Sequence, residues 1–155
     1  MQDLTSIEAE TIEHCSDAPM LDQVIAWSGI NSGSRNLDGL DRMARTLAEA
    51  FSPLPARLVL RDPSPVETMA PDGTLSPVAH GANLHLRVRP EAPVQLLSTG
   101  HMDTVFAADH PFQDVFWREE GKILAGPGVA DMKGGLAVML AALRAVEASP
   151  AAPRF

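Results

Sequence analysis

Val94-Gln95-Leu96-Leu97-Ser98-Thr99-Gly100-His101-Met102-Asp103-Thr104-Val105 is an apolar run that ends on a His-x-Asp pair. Residues 94–99 are apolar enough, and uniformly enough, for a central strand covered on both faces. In an open α/β sheet, ligands gather at the carboxyl ends of strands, which is where His101 stands. A second loaded segment follows, Gly126-Pro127-Gly128-Val129-Ala130-Asp131-Met132-Lys133-Gly134-Gly135. It places a lone carboxylate, Asp131, in a glycine-rich turn that opens a helical pattern.

Outward from these segments, helices and strands alternate. Ser16 or Asp17 can cap a helix with Pro19 in its first turn. Met20, Leu21, Val24 and Ile25 then share a face, with Trp27 close by. Residues 30–36 read as a loop. Leu37, Leu40, Met43, Leu47 and Phe51 are spaced for one buried stripe, which Pro53 and Pro55 end. Residues 57–61 suit a short strand. Eight of the 13 prolines fall between Pro53 and Pro93, so residues 63–81 are expected to form an irregular surface excursion. Leu84, Leu86 and Val88 alternate with polar residues, as in a half-buried strand. Residues 116–124 suit a hairpin turning at Glu119-Glu120-Gly121. Leu136, Met139, Leu140, Leu143 and Val146 mark a last amphipathic helix. The interleaving favours an α/β class, with a mixed, mostly parallel sheet flanked by helices.

Composition narrows the function. The 155 residues are 45% hydrophobic and 21% charged, with a formal charge of -8, as in an ordinary globular domain. No Lys/Arg cluster stands out, which argues against a nucleic-acid partner. Cys15 is the single cysteine, so an internal disulfide is ruled out and a Cys-ligated zinc site disfavoured. Residues 1–18 lack the basic and apolar regions of a signal peptide. No apolar run reaches the roughly 18 residues that span a bilayer. No membrane association is expected, and a cytoplasmic location is.

A neutral imidazole is a common zinc ligand. Asp103, two residues beyond His101, can stand behind the ring, fix its tautomer and raise its basicity. The competing reading is a strand-end histidine satisfied by a neighbouring carboxylate. Asp131 in its glycine-rich turn can offer one oxygen to each of two cations. Its competing reading is an acidic residue near a helix N-terminus. A phosphate loop fails, because Lys133 precedes Gly134-Gly135 where the Walker pattern needs Gly-Lys-Ser/Thr.

Taken together, Ser/Gly-His-x-Asp-x-Val after an apolar strand and Gly-x-Gly-x-x-Asp-x-Lys-Gly-Gly at the usual interval are far more specific. They resemble the co-catalytic zinc metallopeptidase family that includes glutamate carboxypeptidase, acetylornithine deacetylase, succinyl-diaminopimelate desuccinylase and aminoacylase. Ile30-Asn31-Ser32-Gly33-Ser34 also suits the family's N-terminal region. Met102 to Phe106 and the surroundings of Phe112 lean toward the glutamate carboxypeptidase branch. The resemblance implies that His101 ligates one of two zinc ions, that Asp131 bridges both, and that Asp103 orients His101 as a catalytic residue. It implies a cis peptide at Asp131-Met132. Co2+ or Mn2+ can replace zinc in such sites. The implied reaction is hydrolysis of an amide in a small peptide or N-acyl amino acid, with a glutamate taking the proton from a metal-activated water.

The family pattern continues with a Glu-Glu pair and further ligands that cannot be placed here. Glu119-Glu120 precedes Asp131, and Glu147 falls on the polar side of the last helix. The expectation is therefore that residues 1–155 form the N-terminal portion of a catalytic domain, holding two metal anchors and hydrolysing nothing alone. Dimerisation is expected through a domain outside the chain. The alternative is an inactive, truncated relative that serves as a binding or interaction module.

Overall fold

The computed structural model describes residues 4–155. The α-helices are α1 (Ser6–Ser16), which buries none of its residues, and α2 (Met20–Ser28), α3 (Leu37–Phe51) and α4 (Gly134–Ala148), which carry the core. Val24 and Trp27 of α2, Met43, Leu47 and Phe51 of α3, and Leu136, Ala137 and Leu140 of α4 meet in one buried cluster with Leu54. The α3 stripe is buried as its spacing predicts, except that Leu37 at the first turn is exposed. Asn36 caps α3 by accepting from the Gly39 amide.

Two of these helices start differently from the expectation. Pro19, not Ser16 or Asp17, occupies the cap of α2, with no side-chain hydrogen bond. Ser16 and Asp17 instead close α1. Thr5 and Glu8 form a reciprocal capping box at its start, satisfying two donors that the helix leaves free. Of the stretch read as lacking a signal peptide, residues 1–3 lie outside the described part. Among the described residues no helix is long and apolar enough to cross a membrane.

The strands are β1 (Arg57–Arg61), β2 (Val66–Met69), β3 (Leu75–Val78), β4 (Asn83–Arg87), β5 (Phe116–Arg118) and β6 (Ile123–Ala125). They form three antiparallel pairs, β1 with β4, β2 with β3 and β5 with β6. The fold therefore mixes helices and sheet, but the expected mostly parallel sheet is not what forms. The one parallel contact among the described residues is an isolated bridge between Gly33 and Thr104. Residues 94–99 are not a strand. A central strand needs a hydrogen-bonding neighbour on each side, and none of the three two-stranded sheets extends to these residues. Leu96 and Leu97 are accordingly exposed, at 75% and 91%. The Val94 amide donates instead to the Arg154 carbonyl.

The excursion at residues 63–81 does lie on the surface, yet it is not irregular, because β2 and β3 make a hairpin there. Pro77 is tolerated in β3 since both strands of a two-stranded sheet are edges. The turn follows from Pro71-Asp72-Gly73: the Asp72 carboxylate accepts from the Thr74 amide, and Gly73 takes φ 85°. Glu147 departs from its expected solvent role. It forms a forked ion pair with Arg89, which lies beyond β4 rather than on a solvated strand face.

Candidate metal centre

The 30–36 loop holds the His101 segment in place. The Thr104 amide donates to Ser32 O at 2.9 Å, and the Ser34 amide donates to Thr104 O at 3.0 Å. Ser32 Oγ donates to Met102 O at 2.7 Å. Asn31 Nδ2 reaches Phe106 O, Ala107 O and Gln113 Oε1. Gly33 has no alternative in this packing, since a Cβ there would run into the Phe106 carbonyl.

Asp131 comes from the turn between β6 and α4. Gly128 enters it in the left-handed region, at φ 73°, and Val129–Lys133 forms one wide helical turn. Within it Asp131 and Met132 leave helical geometry, at φ -128° and -134°, and the peptide between them is cis. The Lys133 amide donates to Gly128 O at 2.8 Å, closing the turn. The Lys133 side chain runs inward and is fully buried. Its Nζ donates to Trp27 O at 3.0 Å and to Ile30 O at 2.8 Å, tying the turn to the end of α2.

These two arms bring His101, Asp103 and Asp131 together. His101 Nδ1 lies 3.1 Å from Asp103 Oδ1, and His101 Nε2 lies 2.9 Å from Asp131 Oδ1. Two donors on one tetrahedral zinc, each about 2.0–2.1 Å from it, stand about 3.3 Å apart. The His101–Asp131 spacing is close to that, so the pair fits one edge of a cation's ligand shell. Asp131 is 85% exposed at its side chain, which leaves its other oxygen available to a second cation. Among the described residues no group of three or more His, Cys, Asp or Glu side chains is arranged to hold a metal ion.

Without metal, a proton takes the cation's place. Burial pulls the His101 pKa down, but hydrogen bonds to the Asp131 carboxylate and the Asp103 carbonyl, together with the two nearby negative charges, outweigh it and raise the pKa above its ordinary value. A raised folded pKa means that the ion pair stabilises fully below the unfolded value and is lost as pH rises through the folded one. The His101 contribution to the stability of the metal-free protein should therefore fall as pH climbs from about 6.5. Urea melts across that range should show a slope that His101→Gln flattens. An unchanged slope in that variant would remove His101 as its source. Zinc must displace the same proton, so its affinity rises over the same window.

A cleft of about 330 Å³ opens beside these residues, lined by His101, Thr104, Phe106, Phe112, Gly128 and Asp131 among others. Phe106 and Phe112 meet edge to face with centroids 4.9 Å apart, and Phe112 meets Phe116 at 6.2 Å. His110 does not line the cleft; it packs on Phe106, with centroids 5.0 Å apart.

Residues 97–154 match Peptidase family M20/M25/M40. The match takes in His101, Asp103, Asp131 and α4, and it points to a metal-dependent peptidase or related hydrolase. No curated protein matches the chain. Ser34, Asn31 and Lys133 went unrecognised as parts of the site's support. The crowding of Asn, Ser and Gly at residues 31–34 was the available signal, since such residues turn side chains onto backbone.

Proposed function

We propose that this chain supplies one arm of a two-zinc site that hydrolyses amide bonds in small peptides or N-acyl amino acids. The single observation that carries the reading is the convergence of His101 and Asp131 on one point, at 2.9 Å, from segments thirty residues apart in sequence. His101 Nε2 and Asp131 would hold the metal, with Asp131 shared between two ions. Bound zinc polarises a carbonyl and lowers the pKa of water. Asp103 accepts from Nδ1, which keeps the Nε2 lone pair directed outward. The Phe106–Phe112 wall excludes water from one side and offers an apolar surface to the substrate. A glutamate general base and the remaining ligands lie among groups other than these. Release of a C-terminal glutamate is the most specific form of this activity that the His101-Met102-Asp103-Thr104-Val105-Phe106 wording favours.

The test begins with the metal alone. Zinc added to the 155-residue chain should shift the ring resonances of His101 in NMR spectra. His14, His80, His85 and His110 should stay unmoved. Equal shifts at all five histidines, or none, would defeat the proposal. With two donors and no base in place, the chain should give no zinc-dependent hydrolysis of N-acyl amino acids or glutamyl-terminated peptides. Turnover would show that the ligand set is complete without further groups.

A further inference from the structure

Asp103 has two carboxylate oxygens, and each has its own partner. Oδ1 faces His101 Nδ1 at 3.1 Å, a distance that the Asp103 carbonyl shares, so the carboxylate is one of two acceptors at that nitrogen. Oδ2 accepts from Ser34 Oγ at 2.5 Å, across 69 residues of sequence. The same hydroxyl lies 3.2 Å from Thr104 O, but its one proton goes to the nearer, charged acceptor. Ser34 is itself fixed by its amide, which donates to Thr104 O, and by the Gly33–Thr104 bridge. Asp103 is 40% exposed at its side chain and His101 46%. Water can therefore compete for either carboxylate oxygen, and a carboxylate held at one oxygen only can rotate away from the imidazole. We propose that Ser34 is a positioning residue whose hydroxyl locks the Asp103 carboxylate, so that the His101 ring keeps Nε2 aimed at Asp131.

This inference draws on the metal-site reading only for the purpose of the held ring; the geometry it tests is metal-free. Ser34→Thr keeps the hydroxyl, and Ser34→Val matches its volume without it. Ser34 is exposed, so both can be accommodated, and Ser34→Ala takes the place of the valine variant should that fail to fold. At fixed pH, with no metal, the His101 Nδ1–H resonance is read by 15N-edited NMR. Ser34→Val should speed its exchange with water about tenfold, about what the loss of one hydrogen bond to a charged group is worth, while Ser34→Thr restores it to within about twofold of the parent. Equal exchange in the two variants would overturn the inference, whether both match the parent or both are fast. A zinc titration of the same samples separates the two readings. Loss of the Nδ1–H signal in Ser34→Val, with no zinc response at His101 in the parent, leaves the positioning role standing and removes the hydrolase proposal. A zinc response at His101 with identical exchange in both variants does the reverse.

Discussion

Asp131→Ala should abolish the zinc response of His101 and lower zinc affinity by at least about a hundredfold, beyond the 10–100-fold that loss of an outer-shell partner costs. Asp131 supplies one of the two converging donors, and its side chain is the more exposed of the pair, at 85% against 46%. Nothing adjacent can swing in to replace it: Ala130 carries no donor, Met132 offers only a soft, uncharged thioether, and Asp103 is held by Ser34 and His101. Asp131→Asn sharpens the result. The amide keeps one oxygen toward His101 but cannot share a full negative charge between two ions. It should retain weak binding of one zinc and lose the second. Competition with a chromophoric chelator reads both affinities. Tight zinc binding in Asp131→Ala would mean that the metal sits elsewhere. The proton-linked ion pair should vanish together with the metal site, because the same carboxylate serves both.

What was legible in the sequence follows from the range of the forces involved. The α3 stripe, the alternation of Leu84 and Leu86 in β4, and the hairpin across Glu119-Glu120-Gly121 are local patterns with local causes. The His101 and Asp131 segments were legible because each motif concentrates unusual residue types, and their convergence was inferred from the pair. Residues 94–99 misled because an apolar run states only a need for burial, not which neighbours will provide it. Proline density hid the β2–β3 hairpin, although Pro71-Asp72-Gly73 carried the turn chemistry in plain view. The capping box of α1 was equally visible at Thr5 and Glu8 and was outweighed by the polarity of the segment. Contacts at long separation had no such signal. Ser34 with Asp103 and Arg89 with Glu147 join residues 69 and 58 positions apart, and spacing rules reach no further than a turn or two of one element.

Lys133→Ala should cost about 3–5 kcal/mol of stability, the sum of a lost long side chain and a stranded acceptor. The Lys133 side chain is among the largest fully buried ones, and its ammonium caps the end of α2. The two acceptors are not equivalent. Trp27 O also receives the Ile30 amide, at 3.1 Å, whereas Ile30 O depends on Lys133. Lys133→Met fills the space but leaves Ile30 O unpaired, so it should cost less, about 1–3 kcal/mol. Burial pushes the Lys133 pKa down to about 8 from 10.5. Between those values the unfolded chain holds a proton that the folded chain has released, so stability rises with pH across that window. Below about 8 both states are charged, and the desolvation penalty applies in full. Urea melts at pH 7 and pH 10 should therefore show the parent gaining stability, and Lys133→Met losing that gain. A parent curve that is flat or falling there once the His101 contribution is subtracted with His101→Gln, or an alanine variant within about 1 kcal/mol of the parent, would show that Lys133 is not the buried tie. The tie matters for the site because Lys133 follows Asp131 by two residues. A turn freed from α2 no longer fixes the distance between Asp131 and His101, so Lys133→Met should weaken zinc binding.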